Sequence, residues 1–170
     1  MPLDALAHVP PGADLFIDAN VFIYALGRSS AECIDFLARC AREEITGITS
    51  YHVIGEVTHR MMCTEAVDAG MVHQNNVPRQ LAENPEIVKR LSKYWTFTSR
   101  LLSLSLLFLK VDEDILKGAH SVRQRTGLLN NDSIVIACMR SLGVAYLASN
   151  DRGFERVPGL TIFRPTDLNG

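Results

Sequence analysis

Short apolar runs alternate with stretches of helical periodicity along most of the chain, and this alternation limits the possible folds more than any other feature. "ADLFIDAN" ends an apolar run at Asp18 and leads into "VFIYAL", which reads as a buried strand, a carboxylate and a helix. "SSAECIDFLARCAREE" sets Cys33, Phe36, Leu37 and Cys40 at helical spacing behind Ser29 or Ser30 as cap. "ITGITS" predicts a second strand and "SYHVIGEVTHRMM" a second helix. Further on come "LLFLKV" as a strand and "DEDILKGAHSVRQRTG" as a helix stopped by Gly127. The helix of "SIVIACM" and the strands "VAYLAS" and "LTIFRP" complete the order. Parallel strands need a crossover, usually a helix, so this order predicts an α/β domain whose parallel central sheet is covered by helices on both faces.

Between Glu65 and Arg100 the pattern weakens. "DAGMVHQNNVPRQ" has the composition of a loop, and "NPEIVKRLSKYWTFTSRLL" predicts one helix with Pro85 in its first turn. No repeat or linker divides the chain, so residues 1–170 are expected to form a single domain. At 170 residues and 47% hydrophobic it has ample material for one core.

A net charge of -2 excludes binding of polyanions through bulk positive charge. The cysteines Cys33, Cys40, Cys63 and Cys138 form no C-x-x-C pair, which leaves buried thiols in a reducing compartment as their reading. "MPLDALAHVPPGADL" lacks a basic stretch followed by an apolar one, and "LLSLSLLFL" is well short of the ~20 residues of a membrane span. A cytoplasmic protein without membrane contact is expected.

In a parallel sheet, ligands bind beyond the carboxyl ends of the strands. Asp18 and Asp151 each follow such an end, Asp132 opens the "SIVIACM" helix, and Glu56 lies in the second helix. Taken singly, each has a plain explanation. Asp18 and Asp151 could each cap the helix or turn after them, Asp132 could complement a helix dipole, and Glu56 could be a solvated charge beside the buried stripe of Val53, Ile54, Val57 and Met61. Together, four carboxylates at one rim would repel one another, and a hard divalent cation such as Mg²⁺ or Mn²⁺ removes that conflict. His52, Glu56 and His59 share a helical face, which leaves a transition-metal alternative, although the spacing is not H-E-x-x-H. Phosphate-loop, dinucleotide and hydrolase-elbow motifs have no match in the sequence.

Four segments carry a resemblance: "FIDANVFIYAL", "SYHVIGEVTHRM", "GLLNNDSIVIACM" and "LASNDRGFERVPGL". In this order they resemble the PIN-domain nucleases, specifically the VapC-like toxins of toxin-antitoxin pairs, over about Leu15 to Pro165. Each segment is short, and the specificity lies in having all four at compatible intervals. The resemblance implies a three-layer PIN-like fold with Asp18, Glu56, Asp132 and Asp151 as the metal-binding and catalytic set, supported by Asn20 and Ser149. It further implies Mg²⁺- or Mn²⁺-dependent endoribonuclease activity, a VapB-like antitoxin partner and a homodimer.

Relatives often carry another aspartate two residues after the position of Asp151; here it is Gly153, which leaves one or two metal ions open. A helical insertion is expected at about 63–104. Phosphate contacts are expected from Arg152 and Arg156, and from Lys89, Arg90 and Lys93 in a locally basic stretch that also holds Tyr94 and Trp95. Two other readings stay open: a PIN-type RNA-processing nuclease without an antitoxin, and a module that binds RNA or a partner without cleaving.

Overall fold

The computed structural model describes residues 4–168. Among these, six strands form one sheet: β1 (Asp4–Ala5), β2 (Asp14–Ile17), β3 (Thr46–Ser50), β4 (Leu107–Leu109), β5 (Tyr146–Ala148) and β6 (Thr161–Arg164). Their spatial order is β1-β6-β5-β2-β3-β4, and every neighbouring pair is parallel. The helices are α1 (Ala19–Leu26), α2 (Ala31–Ala41), α3 (Tyr51–Asp68), α4 (Val77–Glu83), α5 (Pro85–Arg90), α6 (Lys93–Leu102), α7 (Glu113–Thr126) and α8 (Asn130–Leu142). Two 3-10 turns, Leu6–His8 and Arg152–Arg156, complete the set.

From β2 the chain steps to β3 and then β4 in one direction, and afterwards returns to β5 on the other side of β2. With right-handed crossovers, the outward and return connections cover opposite faces of the sheet. Accordingly α1 packs on α2 and α3, and α3 on α6, while α7 packs on α8. The reversal of strand order at β2 and β5 opens a crevice beyond their carboxyl ends. Asp18 and Asp151 both emerge at that rim.

The elements start and stop where local chemistry satisfies their ends. Ser30, Ser50 and Asp112 accept from Cys33 N, Val53 N and Ile115 N at 3.0, 3.3 and 3.0 Å, capping α2, α3 and α7. Gly127 ends α7 at φ +68, a conformation that costs a side-chain-bearing residue more than glycine. Phe16, Phe22, Phe36 and Phe154 are fully buried with Leu15, Ile17 and Leu147. Cys33, Cys40 and Cys138 are buried free thiols; burial pushes Cys33 up to about 11 and Cys40 to about 12.

β3 passes close under α2 at Gly47. A Cβ on Gly47 would come within 2.6 Å of Leu106 Cδ2 and 3.1 Å of Cys40 Sγ and Ile17 Cδ1. Gly47→Ala is expected to destabilise the protein by about 1 to 3 kcal/mol, the usual cost of overpacking. Urea unfolding checks this, and an unchanged midpoint would contradict it.

The middle of the chain departs from the sequence-based expectation. The predicted single helix from Asn84 to Leu102 is broken into α5 and α6 at Leu91 and Ser92. Glu65, on α3, explains the break: its carboxylate accepts from Ser92 N (2.9 Å), Lys93 N (3.1 Å) and Tyr94 N (2.8 Å), so a distant side chain satisfies the start of α6. Part of the expected loop is also helical. Val77 and Leu81 of α4 join Ala66 and Leu91 in a small second core, whose burial outweighs the loop-like composition.

Candidate active site

Asp18 is the last extended residue after β2 and caps α1. Its carboxylate is only 8% exposed and accepts three hydrogen bonds. Oδ1 accepts from Ala19 N at 2.8 Å, and Oδ2 accepts from Asn20 Nδ2 and Ser149 Oγ, both at 2.6 Å. Both lone pairs of Oδ2 are thereby engaged, which leaves Oδ1 with spare accepting capacity. Ser149, fully buried after β5, also accepts from Asp151 N and from Asn20 Nδ2, each at 3.1 Å. Asn20 Oδ1 in turn accepts from Asn150 N at 3.1 Å. These bonds tie the end of β2 to the end of β5, and they hold the backbones of Asp18 and Asp151 in fixed relation.

The Asp18 carboxyl is raised to about 6, first by burial, against the lowering effect of the Ser149 and Ala19 hydrogen bonds. The charges of Glu56 and Asp132 are the smaller raising contributions to the same shift. Asp132 lies half-buried in the first turn of α8 and is also raised, by burial and then by the charges of Asp151 and Glu56, while Arg156 opposes the shift. The acids from four separate segments therefore act on one another electrostatically. Among the described residues, no three His, Cys, Asp or Glu side chains are already gathered closely enough to hold one ion. The donors are nonetheless all hard oxygens with unneutralised mutual repulsion, which is the chemistry suited to Mg²⁺ or Mn²⁺.

Asp151 is exposed and accepts from Gly153 N through Oδ1 at 2.6 Å, capping the 3-10 turn of Arg152–Arg156. A Cβ at Gly153 would stand 3.0 Å from that same Oδ1, so a side chain there would require the Asp151 carboxylate to give by a few tenths of an ångström. Glu56 Oε2 accepts from Asn131 Nδ2 at 3.2 Å, and His52 Nε2 faces Asn131 Oδ1 at 3.1 Å. His59 instead faces Cys63 Sγ at 3.9 Å, so the two histidines of the shared helical face engage different partners.

Of the basic residues, Arg156 lies near enough to act on Asp132, and Arg152 is exposed in the same turn. Lys89, Arg90 and Lys93 are exposed on α5 and α6. Lys89 pairs with Glu86 at 2.6 Å, and Lys93 N is held by Glu65, about 13 Å along α3 from Glu56 at 1.5 Å per residue. Tyr94 is partly buried whereas Trp95 is 57% exposed.

Two contributors escape a sequence reading. Asn131 bridges α8 to Glu56, and its only signal is its place beside Asp132 in "NND". Arg164, 8% exposed at the end of β6, donates through Nη2 to the Asp151 carbonyl at 3.1 Å and to Glu155 Oε1 at 3.0 Å. Its signal is a cation closing an apolar strand, the same placement that singles out Asp18. Ser149→Ala removes a donor to Asp18 and an acceptor for Asp151 N. It is expected to destabilise by about 1 to 3 kcal/mol and, if Asp18 holds a metal ion, to lower activity about 10- to 100-fold. Unfolding and cleavage assays on one preparation measure both effects, and wild-type activity would show that Ser149 does not position Asp18.

A family model described as PIN domain matches residues 15–160. No curated protein matches the sequence. Several solved structures share the fold. The VapBC2 structure from Rickettsia felis, bound to a DNA fragment from its promoter, aligns with TM-score 0.58 at 15% identity, covering 89% of this chain and 98% of that one. VapBC from Salmonella typhimurium, bound to DNA, gives the same score, identity and coverage. VapC20 from Mycobacterium tuberculosis, described as a Sarcin-Ricin loop cleaving toxin, aligns with TM-score 0.56 at 19% identity, covering 85% of this chain and 95% of that one.

Proposed function

The chain belongs to the PIN-domain family, and on that footing we propose that it is a metal-dependent endoribonuclease, the toxin of a VapBC-type pair. The observation that carries the proposal is the buried Asp18 carboxylate, 8% exposed and raised to about 6 chiefly by burial, with smaller contributions from the charges of Glu56 and Asp132. Burying a carboxylate among like charges is costly unless something neutralises them.

Asp18, Glu56, Asp132 and Asp151 would hold a divalent Mg²⁺ or Mn²⁺ ion. Once bound, such an ion acidifies a coordinated water and neutralises charge growing on the scissile phosphate. Asp18 would bind through Oδ1, since Asn20 and Ser149 engage Oδ2. These two partners keep the carboxylate in one orientation, and Arg164 holds the Asp151 backbone from behind. Arg156, near Asp132, offers the cation that an otherwise anionic pocket needs to accept a phosphodiester. With glycine at 153 and Glu155 paired to Arg164, Asp151 would be the one carboxylate this turn offers an ion, which favours one ion over two.

The VapBC complexes among the structural neighbours support a VapB-like antitoxin as partner, and the likeness to VapC20, a Sarcin-Ricin loop cleaving toxin, supports RNA as substrate. We also assign the chain a homodimeric state and read α4 to α6 as a helical insertion in a single domain. Among the described residues no helix is long and apolar enough to cross a membrane. The test is incubation of purified protein with labelled structured RNAs, with and without Mg²⁺ or Mn²⁺. Cleavage that requires the ion and leaves 5′-phosphate ends is expected; ion-independent cleavage, or products of attack by the RNA's own 2′-hydroxyl, would contradict the reading.

A further inference from the structure

Beside the acidic pocket, at the same sheet rim, stands an aromatic pair to which the proposed chemistry assigns no task. Tyr51 follows β3 directly as the first residue of α3 and is 49% exposed. One face of its ring stacks on Phe108 of β4, with centroids 5.6 Å apart and planes inclined by 25°. Phe108 is itself packed against the main core, so the Tyr51 ring rests on a rigid support while keeping half its surface open. Ser50 pairs with Leu109, which places Tyr51 and Lys110 side by side just past the end of the β3–β4 ladder. Lys110 is exposed and makes no ion pair among the described residues.

The next residue, His52, faces Asn131, which holds Glu56. The platform lies at the same rim as the acids, with β4 two strands from β2, about 10 Å at the usual strand spacing. An aromatic ring backed on one side and open on the other is a surface on which a nucleobase stacks, whatever its identity. Lys110, next in register after the β3–β4 ladder and exposed, is the nearest cation along the chain for the flanking phosphate, although it also lines a cavity with Asp112 and Asp114. We propose that Tyr51, backed by Phe108 and flanked by Lys110, is a base-stacking subsite that holds an unpaired nucleotide of the RNA next to the one being cleaved. This rests on the nuclease reading and adds to it a preference for single-stranded or looped RNA around the cut.

The test measures binding apart from cleavage. A short single-stranded RNA carrying 2-aminopurine is titrated, in Mg²⁺, into protein carrying Asp18→Asn, alone and combined with Tyr51→Ala, Tyr51→Leu, Tyr51→Phe or Lys110→Gln. Stacking should quench the probe in the parent and in the Tyr51→Phe protein. Tyr51→Ala and Tyr51→Leu should abolish the quench and weaken binding by about five- to a hundredfold. Lys110→Gln should reduce the dependence of log affinity on log salt by about 0.7.

The proposal is overturned if the Ala and Leu proteins bind and quench like the parent, or if Tyr51→Phe is as impaired as Ala, because the hydroxyl would then be the contact. Weaker capture of an antitoxin peptide by Tyr51→Ala with unchanged RNA binding would equally overturn it, assigning the pair to a protein partner. Absence of RNA binding both by the parent and by the protein with Asp18 intact would remove the nuclease reading along with it, whereas normal binding by the Ala protein, together with normal cleavage by Tyr51→Ala in a chain that keeps Asp18, would remove the subsite alone.

Discussion

Asp18→Asn is expected to lower RNA cleavage by about a thousandfold or more while leaving the protein folded. The substitution keeps the size of the side chain and removes its charge. Lewis-acid stabilisation at a phosphoryl centre supplies several kcal/mol, and each 1.36 kcal/mol is a factor of ten in rate. Asp18 is the only one of the four acids that is nearly fully buried, and it has three donors fixing its orientation. No other carboxylate can move into its place without breaking the bonds that join β2 to β5. Single-turnover cleavage at saturating Mg²⁺ measures the loss, with unfolding on the same samples to confirm the fold. Activity within tenfold of wild type would mean that Asp18 is a structural cap and no more.

The same carboxylate should make the metal-free protein less stable as pH rises. Asp18 titrates at about 6 in the folded chain against 3.8 for the ordinary group. Between these values the folded state holds a proton that the unfolded state has released, so stability falls from about pH 4 to about pH 6 and then levels. The shift corresponds to about 3 kcal/mol across the window. Asp132, also raised, adds loss of the same sign. Glu44, Glu65 and Asp167 are lowered by their partners and act oppositely, losing stability as pH falls, but they are largely solvent-screened. Urea unfolding in chelator from pH 4 to 8, with wild type and Asp18→Asn side by side, cancels those contributions. The wild-type curve should decline through the window and the variant should lack most of that decline. Added Mg²⁺ should restore wild-type stability above pH 6, since a ligand that binds only the folded state stabilises it. Identical slopes would show that Asp18 carries no such burden.

Much of this was legible because periodicity and rim placement are local signals. The runs ending at Ile17, Ser50, Ala148 and Arg164 are strands, and the carboxylates beyond two of them flank the crevice where strand order reverses. Capping and site membership looked like competing explanations for Asp18 and Asp151, yet both residues cap: Asp18 accepts from Ala19 N and Asp151 from Gly153 N. Each carboxylate has two oxygens, and a cap uses one lone pair of four, so a capping role does not remove a binding one.

The illegible parts depend on contacts between distant residues. Nothing near Ser92 announces a helix break, because the acceptor that satisfies it is Glu65, on another helix. Asn131 and Arg164 owe their importance to partners 75 and 13 residues away, Glu56 and Asp151. Tyr51 reads as one more residue of an amphipathic helix until β4 places Phe108 against it.

Convergence of the four separated carboxylates on a single cation is tested most directly by Mn²⁺ titration followed by electron paramagnetic resonance on wild type, Asp18→Asn and Asp132→Asn. Wild type should bind Mn²⁺ and release it to Mg²⁺, and either substitution should weaken the affinity at least about tenfold. Failure of wild type to bind Mn²⁺, or equal binding by all three proteins, would contradict a shared site.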